Sequence, residues 1–264
     1  DPAVVERIVQ AIAPRPGEAI VEIGPGRGVL TRALLAAAGR LDAVEIDRDL
    51  AARLAEEFPP GSGLALHPGD ALAFDFAALA AARGARLRIV GNLPYNISTP
   101  LLFHLLATPS ALTDLHVMLQ REVIERMAAA PGSKAYGRLS VMLAPWARVE
   151  KLFDVGPGAF QPPPKVWSSV ARLILRAEPA FDIPRGFAAL VASAFSQRRK
   201  TLRNALKSLL SAAEIESAGM SGRILLLPGF PPDDPLLPSA YKAADLFVLP
   251  TVHEPFGIVI LEAW

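Results

Sequence analysis

The sequence predicts an α/β fold built on a doubly wound, Rossmann-like parallel sheet. Three observations lead there. Short apolar runs alternate with helical patterns through residue 128. A glycine cluster, GPGRG, follows the first apolar run, as it does where a strand turns into a helix beside a nucleotide. The fourth run ends in GNLPYNIST, which sets an amide, a proline and an aromatic ring at the carboxyl edge of the sheet, where open sheets bind their ligands.

The elements follow in order. DPAVVERIVQAI opens the chain as an amphipathic helix, and the start reads as that of a trimmed domain. AIVEI (19–23) is the first strand, and a helix starts near Leu30. LDAVEI (41–46) is the second strand, with a helix from Arg48 to Phe58; LALHP (64–68) is the third. LRIV (87–90) is the fourth, followed by a helix opening near Ser98 and Thr99. LHVMLQ (115–120) is the fifth, followed by REVIERMAAA as a helix. WARVEKLFDV (146–155) and WSSVARLIL (167–175) read as a hairpin-like pair closing one edge. From Pro184 the pattern turns wholly helical, and after Gly219 it becomes proline-rich with a strand–helix rhythm of its own. The expected domains are therefore 1–178, a small helical appendix over 179–218, and a separate α/β segment over 219–264.

Composition narrows the function classes. Of 264 residues, 52% are apolar and 20% charged, which supports a real core and argues against disorder. Net charge is +1, so only a local basic cluster makes a case for nucleic acid. Arg185, Arg198, Arg199, Lys200, Arg203 and Lys207 form such a cluster, uninterrupted by acid between Asp182 and Glu214. It reads either as a solvated helix face or as a phosphate-contacting surface. There is no cysteine, which excludes disulfides, thiolate metal sites and a cysteine nucleophile, and fits a cytoplasmic protein. The four histidines have no metal-ligand spacing, so no metal is expected. No apolar run reaches membrane-spanning length, and no membrane partner is expected.

Gly24, Gly26 and Gly28 allow a tight turn and close backbone approach to a ligand. Glu45 ends the second strand about 20 residues later, where a carboxylate accepts both hydroxyls of a ribose. The pair fits NAD, FAD or S-adenosylmethionine, or a purely structural turn. The G-x-G-x-G spacing lacks the pyrophosphate-type G-x-G-x-x-G, which tilts the reading toward S-adenosylmethionine. Asp70, just past the third strand, is an acceptor for the adenine amine of that cofactor or an N-cap for the next helix.

Asn92 brings a side-chain acceptor to the end of the fourth strand. Pro94 biases Leu93 away from helical backbone, which lets the Leu93 carbonyl face the same spot. Two converging acceptors suit an exocyclic amine, whose lone pair would then turn out of conjugation toward a methyl donor. Tyr95 offers a flat face for the base, a contact worth roughly 1–3 kcal/mol. Such a transfer needs positioning and electrostatics rather than a metal or a covalent intermediate. The plain alternative is a proline turn with a satisfied Asn.

VEIGPGRGVLT, VEID, GDAL and GNLPYNIST, together with QREVIERMAAAPGSKAYGRLSV, FQPPPKVWSSV and FSQRRKTLRNAL, resemble the KsgA-type ribosomal RNA adenine dimethyltransferases over residues 1 to about 215. PGSKAYGRLSV favours that type over the related Erm-type enzymes. The resemblance implies a class I methyltransferase sheet, S-adenosylmethionine as cofactor, and small-subunit rRNA or a pre-30S particle as partner of a monomeric enzyme. It assigns Glu22, Gly24, Gly26, Glu45, Asp70 and Asn92 to the cofactor side. Asn92, Leu93 and Pro94 would grip the target amine, with Tyr95 and Phe160 sandwiching the base. Arg198, Arg199, Lys200 and Arg203 would contact RNA.

Two departures stand out. The family's Gln-x-Phe-Leu element, which helps cover the cofactor, would precede Asp1, and the helical domain is replaced past Leu210. YKAADLFVLPTVHEPFGIVILEAW instead resembles a fragment of a GT-B glycosyltransferase donor domain, with Glu254 and Glu262 matching that family's Glu pair. This segment is expected to share little core with the first domain, leaving Phe247, Val248 and Leu249 outside it. Two competing readings follow: an RNA-binding module with impaired catalysis, and a sugar-nucleotide-binding fragment.

Overall fold

A computed structural model describes residues 1–94, 97–181, 183, 185–196, 205, 206, 211 and 214. Their elements are α1 (Pro2–Ile12), β1 (Ile20–Ile23), α2 (Val29–Ala38), β2 (Leu41–Glu45), α3 (Arg48–Glu57), β3 (Leu64–Pro68), α4 (Phe76–Arg83), β4 (Leu87–Asn92), α5 (Ser98–Leu106), β5 (Leu112–Gln120), α6 (Arg121–Met127), α7 (Arg138–Leu143), β6 (Ala147–Val155), β7 (Ser168–Leu175) and α8 (Phe187–Ala194). The described residues belong to two units, 1–128 with 143–181, and a second drawn from 129–142 and 182–264.

In the first unit, seven strands form one sheet in the order β3-β2-β1-β4-β5-β7-β6. β1 to β5 run parallel. β7 runs antiparallel between β5 and β6. The edge pair expected from the sequence is there, with the later strand on the inside. Parallel strands are buried on both faces, and β1, β2 and β5 are accordingly almost wholly buried.

Alternation along the strands decides what each face holds. Ile20, Leu41, Val90, Met118, Val170, Phe153 and Val155 share one cluster with Ile8 and Ile12 of α1 and Leu34 and Ala38 of α2. α1 forms because Asp1 caps it, its side chain accepting from the Ala3 N–H, and Pro2 sits in its first turn. Asp47 caps α3 in the same way, accepting from the N–H groups of Asp49 and Leu50. Elsewhere Leu101, Leu102 and Leu105 of α5 are fully buried. A chain of ring contacts links His67, Phe74, Phe76 and His104, with centroids 5.0–5.9 Å apart.

A buried charge network locks the amino ends of β4 and β5. Arg88 on β4 donates from Nε to Asp114 Oδ1 (3.0 Å), from Nη1 to Glu18 (2.7 Å) and from Nη2 to the carbonyl of Ile12 (2.7 Å). Arg172 on β7 donates to Asp114 Oδ2 (2.9 Å). Burial alone would raise the Asp114 carboxyl, but the Arg88 hydrogen bond and the surrounding positive charges hold it below the usual carboxylate range. Next along β5, His116 is 2% exposed. Burial pushes its pKa down to about 4 against the pull of Asp114.

In the second unit, the Ser193 hydroxyl donates to the Ala205 carbonyl (2.6 Å), and Tyr136 meets Phe195 edge to face, with centroids 6.3 Å apart.

Candidate active site

The chain leaves β1 toward β2 on one side and, after β3, returns to β4 on the other. The crevice between the carboxyl ends of β1 and β4 is therefore the switch point of the sheet. Gly24, Gly26 and Gly28 line the turn out of β1 with φ of +67°, +56° and +73°. That backbone is closed to most side chains. A Cβ placed on Gly24 or Gly26 would meet nothing within 4 Å, so the turn opens onto free space.

Glu45 ends β2 beside this turn. Its Oε2 accepts from the Gly26 N–H (2.9 Å) and its Oε1 from the Asp47 N–H (3.0 Å). A carboxylate has about four lone-pair positions. Each oxygen of Glu45 thus keeps capacity for a further donor while its rotamer is fixed. Glu22 lies below, 3% exposed, and its Oε2 accepts from the Thr31 hydroxyl of α2 (2.6 Å). Glu22 thus ties β1 to the helix that the glycine turn feeds. Asp70 is exposed after β3, and its Oδ1 accepts from the Leu72 N–H (2.9 Å). It caps a local turn; the cap of α4 is Asp75.

Across the switch point, Asn92 is the exposed last residue of β4 and pairs with Met118. The strand runs through Gly91, where the sequence suggests a stop. The reason is close approach: a Cβ on Gly91 would lie 2.8 Å from the Ile23 carbonyl and 2.8 Å from Leu93 Cδ2. Leu93 anchors the turn, its side chain 1% exposed and its N–H donating to the Met118 carbonyl (3.2 Å). Pro94 follows on the surface and accepts from the Ile97 N–H (3.2 Å).

The model of the ribosomal RNA adenine dimethylase family matches residues 1–225. This chain belongs to that family. Its dimethylase relatives include "Ribosomal RNA small subunit methyltransferase A" of Pseudomonas fluorescens, 54% identical over 227 residues, 85% of this chain and 83% of the relative. The protein of the same description from Nitrosococcus oceani is 56% identical over 225 residues, 84% and 85% of the two chains. Among solved structures, a dimethyladenosine transferase from Plasmodium falciparum matches with TM-score 0.69 and 27% identity over 88% of this chain and 83% of that one. The 23S rRNA methyltransferase ErmE matches with TM-score 0.65 and 26% identity, over 84% and 88%. The Rossmann-like methyltransferase fold expected from the sequence is the fold observed.

The remaining dimethylase candidates are placed less evenly. Phe160 is half-buried after a short helical turn and packs against the core shared with α1. The backbone nitrogen of Asp1 donates to the neighbouring Ala159 carbonyl (3.0 Å). Tyr95 lies outside the described residues, as do Arg198, Arg199, Lys200, Arg203, Phe247, Val248, Leu249, Glu254 and Glu262. One residue that sequence reasoning passed over is Ile46, 67% exposed directly after Glu45. The available signal was an isoleucine between a strand-ending acid and the Asp47 helix cap, where nothing in the core calls for it. Among the described residues, no cluster of His, Cys, Asp or Glu is placed to hold a metal ion, and no helix is long and apolar enough to cross a membrane.

Glu22 carries a pH signature. Burial, joined by the charge of Glu45 and opposed by the Thr31 hydrogen bond, raises its pKa to about 7. The folded state therefore holds a proton that the unfolded chain releases above about 4.5. Stability from this group is full below 4.5 and is lost as pH rises through 7. His116 has the opposite sign: its depressed folded pKa gives stability that is full above 6.5 and lost as pH falls toward 4. The two slopes oppose each other between 4.5 and 6.5, so the difference between variant and wild type is the informative quantity. Glu22→Gln is expected to gain on wild type by about 1.4 kcal/mol per pH unit across that interval and up to pH 7. Urea unfolding at pH 5 and pH 7 measures it, and a constant difference would refute a protonated Glu22.

Proposed function

We propose that this chain methylates the N6 amine of adenosines in small-subunit rRNA, adding two methyl groups, with S-adenosylmethionine as cofactor. The observation that carries the reading is the pairing across the β1/β4 switch point: an open glycine turn with a fixed, buried Glu45 on one side, and an exposed Asn92 at the end of β4 on the other. The residues present fit the cofactor. Gly24 and Gly26 give the close backbone, Glu45 accepts the ribose hydroxyls, Ile46 offers an apolar face to the adenine, and Asp70 accepts from the adenine amine. Glu22 acts indirectly, by holding the turn on α2. When bound, the cofactor supplies an activated methyl group on a sulfonium.

The chain's own residues do the rest. Asn92 accepts one N–H of the target amine and the Leu93 carbonyl the other, which turns the nitrogen lone pair out of the ring plane. Pro94 stiffens that turn, and Leu93 fixes its depth by burying its side chain. Tyr95 and Phe160 stack on the two faces of a base extruded from its strand. Arg198, Arg199, Lys200 and Arg203 hold backbone phosphates from a helical domain over 179–218. The methyltransferase domain spans 1–178, and 219–264 is an appended glycosyltransferase-like fragment. The enzyme works as a cytoplasmic monomer on rRNA or a pre-30S particle.

The test is transfer of labelled methyl from S-adenosylmethionine to unmethylated small ribosomal subunits, followed by nucleoside analysis. Dimethyladenosine is expected. Cofactor binding without transfer would favour an RNA-binding module, and thermal stabilisation by a sugar nucleotide without cofactor binding would favour the glycosyltransferase reading.

A further inference from the structure

We propose that Trp167 is a stacking platform for a nucleotide flanking the methylated adenosine. The proposal rests on the function above and adds a second nucleotide-binding position to it. Trp167 immediately precedes β7, whose first residue, Ser168, pairs with Gln120 at the end of β5. Asn92 at the end of β4 pairs with Met118 of the same β5. Trp167 therefore stands on the same carboxyl edge as the reacting position, two strand spacings across the sheet and about three residues farther along it, or ~14 Å from Asn92 between backbones. A strand that delivers its base to Asn92 has to lay the neighbouring nucleotides along that edge.

The ring is held but not covered. It is 49% exposed. It rests on Gly156, where an added Cβ would lie 3.5 Å from the indole. The carbonyl of Trp167 accepts from the Arg121 N–H (2.9 Å), which fixes its backbone to the start of α6. A Trp kept for the core would bury its ring; this one spends its backbone bond and its glycine contact on presenting a face.

Charge picks the occupant. The Arg121 guanidinium stands 5.8 Å from the ring centroid, and exposed Lys165 lies two residues away. Among the described residues no carboxylate pairs with Lys165, while Arg121 has a loose, half-exposed pair with Glu125 at 3.5 Å. An exposed pair of that length is weak and yields readily to a phosphate. A π-face with a guanidinium beside it and an exposed lysine two residues away in the sequence suits single-stranded RNA, in which each stacked base brings its phosphate with it.

Two measurements on the full chain test this: affinity for a short oligoadenylate, and steady-state methylation of unmethylated small subunits. Trp167→Ala is expected to weaken oligoadenylate binding and raise the subunit KM by roughly 5- to 100-fold. The kcat and the cofactor affinity should hold. Trp167→Phe should recover most of the loss. Trp167→Leu keeps bulk without a π-face and should behave like Trp167→Ala, which covers the case in which the smaller side chain unsettles the edge. Unchanged oligoadenylate affinity in both non-aromatic variants overturns the proposal, even if subunit affinity falls, since the surface would then serve a ribosomal protein. If the wild type transfers no methyl to subunits, the function fails on its own, and oligoadenylate affinity still decides the role of Trp167.

Discussion

Asn92→Ala is expected to lower methyl transfer by at least about 100-fold while leaving cofactor binding near the wild-type value. The separation of roles follows from topology. The glycine turn and Glu45 belong to β1 and β2, whereas Asn92 ends β4 on the other side of the switch point. The Asn92 side chain lies at an exposed strand end, so its loss leaves no core cavity. The Leu93 anchor, which sets the turn, is untouched. Single-turnover rates and calorimetric cofactor affinity read the two effects separately. Parallel loss of both would move Asn92 to the cofactor, and unchanged turnover would remove it from the amine altogether.

Asp114→Ala should have the largest effect on stability, roughly 3–5 kcal/mol. The carboxylate is 1% exposed and takes hydrogen bonds from two arginines. Removing it strands the Arg88 guanidinium beside the Ile12 carbonyl with only Glu18 as counter-charge. The melting temperature should fall by about 10 °C. The network sits at the amino ends of the strands, away from the site, so methyl transfer per folded molecule should survive at low temperature. A shift under about 2 °C would show that the network is structurally neutral. Because the folded Asp114 carboxyl lies below its ordinary value, its stabilisation is present above that value and is lost as pH falls through the depressed one.

The parallel half of the sheet was legible because buried parallel strands are near-continuous apolar runs, and IVEI, LDAVE and LRIV read as such even though Glu22, Asp42, Glu45 and Arg88 interrupt them. α4 was not. Its sequence, FAALAAAR, is too rich in alanine to show a stripe, although Asp75 and Gly84 mark its two ends. The hairpin-like pair was readable, but not which member lies inside, since β5 and β7 are joined only by long-range pairing. Gly91 misled because a glycine at a strand end reads as a stop, whereas here it admits the Ile23 carbonyl. Glu45 could be placed from its distance to Gly24, but not its bonds to the Gly26 and Asp47 N–H groups, which depend on the turn's conformation. The Arg88–Asp114–Arg172–Glu18 network joins residues from four separate stretches, and no local pattern announces it.

The place of β7 has a consequence for the chain as it emerges from the ribosome. β6 is synthesised before β7, yet within the described sheet β7 is its sole neighbour. Until Leu175 has been made, β5 keeps a bare edge and β6 has nowhere to dock. A nascent chain halted in the linker between them therefore lacks two strands rather than one, and exposes the edge of a buried nine-residue strand to any other chain nearby. The last strand of this sheet to be synthesised is the one that seals it.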